Sequence, residues 1–329
     1  MNILSIVHGF PPTHNAGAEW MLHDMLKYLV DKGHTCSIKS YGFPVQDING
    51  IEAIDVLTPK RIKEADIIIT HLNQTGTAIN IAREYQKPLV FLSHNNHKYG
   101  IIRNRRASVY VVYNTYCMKE ELRDTYGHLP SIVLHPPVDP KHYKVRKKRE
   151  YITLLNLAPQ KGGDIFAKIT KAMPSESFLG VKGSYGTQHT DFGKNVSIWE
   201  NLSDSRKAYK QTSIILMPSP YESYGRVAVE AMCSGIPVIC TDTDGLREAT
   251  DGKAYYIKDR TNISEWVSAI GEVKANYQRW AKMATLRSSQ LETEKELSEF
   301  EAFLTDINLK HGNIYADSHK KHWTDSRVY

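Results

Sequence analysis

Glu222 and Glu230 stand eight residues apart in the run 218–232, PSPYESYGRVAVEAM. The apolar segment before this run reads as a buried strand, and the segment from Val227 reads as a helix. Glu222 therefore falls in the connecting loop and Glu230 inside the helix. Ser223, Tyr224 and Gly225 bring backbone N–H groups to the helix start, with Arg226 beside them. A helix N-terminus is a ready anion site, and a glycine lets a ligand come close to the backbone. A carboxylate accepts hydrogen bonds from two vicinal hydroxyls, so two glutamates spaced in this way are suited to gripping sugar rings.

Other segments offer matching chemistry. Residues 155–163, LNLAPQKGG, lead from a strand through Asn156 and Lys161 to a glycine pair and a helix. A lysine in such a loop can neutralise a diphosphate leaving group. Residues 8–12, HGFPP, precede AGAE at 16–19, where Gly17 at a helix start would turn its N–H toward a phosphate. That spacing is not the dinucleotide fingerprint G-x-G-x-x-G, which disfavours a nicotinamide or flavin enzyme. Residues 93–97, SHNNH, place His94 directly after an apolar strand, and His71 follows the strand before it. Asp242-Thr243-Asp244 has the form of an Asp-x-Asp metal pair. It directly follows the strand PVICT.

Together these residues resemble the retaining glycosyltransferases of the GT-B fold, and glycosyltransferase family 4 in particular. The run 218–232 resembles the E-x7-E motif of that family. Ser234-Gly235-Ile236-Pro237-Val238-Ile239 and Gly245-Leu246-Arg247-Glu248 resemble its next strand and loop, and the close match spans residues 212–256. The resemblance implies that Glu222 lies near the donor sugar, that Ser223, Tyr224 and Gly225 offer backbone amides to it, and that Glu230 holds the ribose. It implies a base-binding site around Trp199, Glu200, Asn201 and Leu202. It also implies a histidine at the strand end, for which His94 is chosen over His71 and His97. The catalytic set expected from the resemblance is Glu222, Lys161 and His94, with Gly17 helping at the diphosphate. The family usually carries an arginine five residues before its lysine, and this chain has Asn156 there. Either Asn156 serves as a neutral donor or another cation such as Arg226 compensates. The implied reaction transfers a glycosyl group from a nucleoside-diphosphate sugar, UDP-sugar by default, with retention and with no cofactor or metal.

Alternating elements must position these residues. Residues 2–8 read as a strand, and Trp20, Met21, Met25, Leu26, Leu29 and Val30 then recur at helical spacing up to Gly33. Strands are expected at 35–41, 66–70, 88–93, 109–113 and 131–134, with helices at 77–85 and 118–126. A second series follows, with strands at 151–157, 177–181, 195–198, 213–217 and 237–241. Its helices are expected at 163–172, 203–211, 227–234 and 263–273. Residues 277–308 read as helical throughout, and 312–329 show no clear period. Strand–helix alternation with continuous apolar strands means parallel sheets covered on both faces. The fold class is therefore α/β, with two Rossmann-like domains facing a cleft. The expected limits are an acceptor-side domain over 1–140, a basic linker over 141–150 and a donor-nucleotide domain over 151–294. By the resemblance, residues 295–329 cross back onto the first domain.

The chain has 329 residues, enough for two domains. No stretch approaches the ~18 apolar residues of a membrane helix, and the opening run reads as a strand rather than a signal peptide. Four scattered cysteines with no C-x-x-C read as buried thiols of a reducing cytoplasm. The net charge of +6 lies wholly in residues 1–150, which hold 20 Lys and Arg against 14 Asp and Glu. Arg103, Arg105 and Arg106 form one concentration and residues 141–149 another. Such runs are commonly solvated, and they also suit an anionic acceptor. A lipid-linked saccharide or envelope polymer is the first expectation, reached in the cytoplasm or peripherally at a membrane surface. The alternatives are a modified base in DNA, flipped into the cleft, and a non-catalytic nucleotide-sugar or polyanion-binding protein. No stable protein partner is readable.

Overall fold

The computed structural model describes residues 1–96, 108–146 and 148–324, with side chains as far as residue 312. Seven strands form the first sheet: β1 (Asn2–Val7), β2 (Thr35–Ser40), β3 (Ile51–Ala53), β4 (Ile67–His71), β5 (Leu89–Ser93), β6 (Val109–Tyr113) and β7 (Ser131–Val133). Their order is β3-β2-β1-β4-β5-β6-β7, and every pairing is parallel. Six strands form the second: β8 (Tyr151–Leu155), β9 (Phe178–Val181), β10 (Val196–Trp199), β11 (Thr212–Met217), β12 (Val238–Thr241) and β13 (Tyr255–Ile257). Their order is β10-β9-β8-β11-β12-β13, again parallel throughout. The strand order reverses between β1 and β4 in one sheet and between β8 and β11 in the other. A doubly wound sheet opens its ligand crevice at that reversal, beyond the carboxyl ends of the strands. The loops leaving these four strands begin at His8, Leu72, Asn156 and Pro218.

The apolar strands are continuous because each face of the sheet has its own core. Along β1, Ile3 and Val7 pack with the helix Gly17–Asp31, while Leu4 and Ile6 pack with the opposite cluster around Ile68, Phe91 and Tyr113. The final helix, Thr293–Thr324, returns to the first domain. Its Phe300, Leu304 and Ile307 are fully buried beside Leu22, Leu26 and Leu29. Their spacing of four and three residues puts them on one helix face. Both sheets thus have the two-domain α/β form anticipated for the chain, with the last helix spanning back.

Several local expectations are revised. The tail is not one helix over 277–308 but two, Tyr277–Ser289 and Thr293–Thr324. No glycine or proline lies between them. The break is tertiary: Arg287 Nε donates to the Ala249 carbonyl at 2.7 Å, and Thr293 Oγ1 donates to the Val138 carbonyl at 2.8 Å. The helix expected from residue 203 begins at Arg206, because the Asp204 carboxylate takes the Arg206 backbone N–H at 3.0 Å. The basic segment 141–150 lies along the second domain. The Val145, Lys148 and Glu150 backbone N–H groups donate to Ser234 Oγ and to the Lys210 and Gln211 carbonyls. The four cysteines form no disulfide; Cys36, Cys233 and Cys240 are buried as expected, but Cys117 is only half-buried. Among the described residues, no helix is long and apolar enough to cross a membrane.

Candidate active site

The two crevices face each other across a cleft of ≈ 1420 Å³, lined from both domains. In the second domain, β8 gives way to Asn156, whose backbone turns to φ 73° while its side-chain oxygen accepts the Ala158 N–H at 3.1 Å. A short turn over Pro159–Lys161 follows, and then Gly162 at φ 83°. A Cβ on Gly162 would lie 2.5 Å from the Pro218 carbonyl oxygen. Only glycine lets this turn press against the loop after β11, and that contact brings Lys161 to Glu222. Lys161 Nζ donates to Glu222 Oε1 at 2.7 Å, and Ser219 Oγ donates to the same oxygen at 2.9 Å. Glu222 is 9% exposed, so its charge is met by partners rather than by water.

Gly225, at φ 104°, starts the helix Arg226–Cys233, on which Glu230 lies one turn further in. Glu230 accepts from Arg226 Nε at 2.6 Å, Tyr209 OH at 2.7 Å and Ser205 Oγ at 3.2 Å. Arg226 reaches across the cleft as well, with Nη2 donating to Asp24 Oδ2 at 2.7 Å and to Tyr143 OH at 3.2 Å. Burial opposes the Asp24 charge, but Arg226 and His23 together hold its carboxyl below the usual range. Arg226 is thus engaged by two carboxylates, while its Nη1 is buried with no hydrogen-bond partner.

The first domain supplies the facing wall. Gly17 begins its helix in the cleft, and His94 and His8 line the same space. His94 Nε2 and His71 Nδ1 share one hydrogen bond at 3.1 Å. Burial, with smaller contributions from neighbouring imidazoles, pushes His71 down to about 4 and His94 down to about 3. Both rings are therefore neutral near pH 7, suited to hydrogen bonding rather than to delivering a proton. Asn114 Nδ2 donates to Ser223 Oγ at 2.9 Å and Thr115 Oγ1 to the Ser223 carbonyl at 3.0 Å, so the first domain clasps the second-domain loop. Asn15 Nδ2 donates to Asn201 Oδ1 at 3.0 Å and to the Leu202 carbonyl at 2.6 Å.

Gly17, His94, Asn156, Lys161, Glu222, Ser223, Tyr224, Gly225, Arg226 and Glu230 all line this cleft. Of the proposed base site, Asn201 and Leu202 line it too. Trp199 instead packs on the cluster of Leu179, Val181 and Ala208, and Glu200 pairs with Lys182 at 2.7 Å. Arg103, Arg105, Arg106 and His97 lie outside the described residues. Asp242 pairs with Arg247, and Thr243 caps the helix Asp244–Thr250, so this run is engaged in its own loop. Sequence reasoning missed Ser219, Asp24 and Tyr143. None carries a local signal, since each acquires its role from a partner at least three residues away, and Asp24 from one 202 residues away.

Known proteins show the same outline. Residues 141–287 match the family model described as Glycosyl transferases group 1. A D-inositol 3-phosphate glycosyltransferase of Paenarthrobacter aurescens is 24% identical over 216 residues, covering 56% of this chain and 53% of that protein. The Mycolicibacterium smegmatis protein of the same name is 38% identical over 132 residues, covering 36% of this chain and 30% of its own length. The chain thus spans about half, or less, of the length of these curated relatives. Among solved structures, Anabaena Alr3699/HepE in complex with UDP-glucose superposes with a TM-score of 0.72 at 17% identity, covering 96% of this chain and 100% of that one. A glycosyltransferase from Rickettsia africae gives 0.71 at 16% identity, covering 93% and 98%. The second domain thus carries the group 1 glycosyl transferase match, and the whole chain has the GT-B fold.

Proposed function

We propose that this protein is a glycosyltransferase that moves a sugar from a nucleoside-diphosphate sugar, UDP-sugar by default, to an acceptor hydroxyl with retention of configuration. The observation that carries the reading is the Lys161–Glu222 pair, 2.7 Å apart, at the mouth of the loop that runs on to Glu230. The relatives named as glycosyltransferases and the UDP-glucose complex on the same fold support it.

On this reading Lys161 leaves Glu222 for the diphosphate when donor enters, and Glu222 is released to the hydroxyls of the donor sugar. The bond between the anomeric carbon and the phosphate oxygen breaks, and its electron pair leaves with the diphosphate. Lys161, with the amides near Gly17 and Gly225, stabilises that charge. The acceptor oxygen bonds to the anomeric carbon on the face just vacated, and its proton passes to the departing phosphate. His94, neutral, orients the sugar through a hydrogen bond. Glu230 holds the ribose by exchanging Ser205 or Tyr209 for its hydroxyls.

An anionic acceptor fits the surplus charge of residues 1–150. The matched relatives are named for a phosphorylated inositol, which is of that kind. The test is nucleotide release from UDP-, GDP- and ADP-sugars with phosphorylated and neutral acceptors, alongside Lys161→Ala and Glu230→Ala. One donor consumed by the wild type and spared by both variants supports the reading. Donor binding with no turnover for any acceptor would instead mean a binding protein.

A further inference from the structure

A cluster of one half-buried and two buried side chains on the first-domain wall has no part in the reaction described above. His8 directly follows β1, His14 lies in the next loop and Glu19 in the first turn of the helix Gly17–Asp31. His14 is 7% exposed and Glu19 1%. His8 Nε2 stands 3.3 Å and His14 Nδ1 3.4 Å from one and the same oxygen, Glu19 Oε1. The two imidazoles meet edge to face, with centroids 4.9 Å apart. All three potential ligand atoms lie within 4.8 Å of one another.

These separations lie within ion-pair range and also match two ligands sharing one cation. A charge-assisted hydrogen bond would close to about 2.7–2.9 Å. Instead His14 Nδ1 and Glu19 Oε2 are buried with no hydrogen-bond partner. Nitrogen and oxygen ligands about 2.0–2.2 Å from a tetrahedral zinc ion stand about 3.3–3.5 Å from each other, as each imidazole nitrogen does from Glu19 Oε1. The loop is also shaped for the arrangement, since a Cβ on Gly9 would lie 2.8 Å from His14 Cβ and Cγ. His8, His14 and Glu19 all face the cleft.

We propose that His8, His14 and Glu19 form a site for a divalent first-row transition cation such as Zn²⁺, with three protein ligands and a fourth position open to the cleft. Two imidazoles and one carboxylate are the ligand set of open zinc sites. The ion would be separate from the leaving-group chemistry of Lys161, for which no metal is expected, and the site does not depend on the donor reading.

The test is Zn²⁺ titration of chelator-treated full-length protein by calorimetry, with no donor present, repeated on His14→Ala, Glu19→Gln and Lys161→Ala. One equivalent should bind to the wild type and to Lys161→Ala. Affinity should fall at least about 100-fold in His14→Ala and Glu19→Gln, since even outer partners of metal ligands are worth 10- to 100-fold. No stoichiometric binding, or binding unchanged in both ligand variants, overturns the proposal. Should a variant fail to fold, anomalous scattering at the zinc edge from wild-type crystals grown with one equivalent decides. A peak between the three side chains supports the site, and a peak elsewhere or none overturns it.

Discussion

Lys161 is the residue whose removal is most informative. Among the described residues, its ammonium and the Ser219 hydroxyl are the side-chain groups that donate to Glu222 Oε1. Deleting one preorganised electrostatic group commonly costs about 10²–10³ in turnover. Lys161→Ala should lower kcat by that factor in a nucleotide-release assay, and the melting temperature should fall too, because the 9% exposed Glu222 loses its cation. Gly162 is the backbone counterpart. Gly162→Ala forces a side chain into φ 83° and against the Pro218 carbonyl, 2.5 Å from the new Cβ. Strain of about 1–3 kcal/mol is expected. It should appear in urea unfolding together with a loss of activity, since the Lys161 turn can no longer press on the loop that carries Glu222.

Among the elements, the last helix has the clearest energetic role. Phe300 is fully buried in the core shared by the helix Gly17–Asp31 and the face of β1. Truncating a buried phenylalanine typically costs about 3–5 kcal/mol. Phe300→Ala should therefore destabilise the chain by that amount in equilibrium unfolding. A surface change on the same helix, such as Leu309→Ala at 62% exposure, should cost far less. The helix–strand units themselves follow from local pattern, but the docking of this helix on the first domain does not. Its Phe300, Leu304 and Ile307 would satisfy any apolar groove.

For the whole molecule, His135 ties the two domains and the returning helix together. Its Nε2 shares a hydrogen bond with Glu248 at 2.8 Å and its Nδ1 with Glu296 at 2.9 Å. Burial works against the charge, yet these two carboxylates outweigh it and raise His135 to about 9. A raised folded-state value means stability that is fully present below the unfolded value near 6.5 and is lost as pH climbs through 9. Between those limits, stability should fall by about 1.4 kcal/mol per pH unit from this group. Urea midpoints measured at pH 6.5, 8 and 9 should show that slope, and His135→Asn should flatten it. A wild-type slope that survives the substitution would assign it to another group.

Much of this was legible in the chain alone. Continuous apolar runs and period-3.6 apolar patterns determined two α/β units, because burial on both sheet faces leaves a continuous apolar strand and an amphipathic helix. The motif around Glu222 and Glu230 and the Lys161 turn were readable because they resemble the strand–loop–helix motifs of a known family. Short edge strands such as β3 and β13, three residues each, lie below the length at which periodicity speaks. The break at 290–292, the Arg226–Asp24 bridge, the clasp on Ser223 and the meeting of His8, His14 and Glu19 were decided only by the tertiary structure. The first three depend on groups from distant segments arriving at one point, and the last on how one loop folds back on itself; a sequence records such groups without recording their distance.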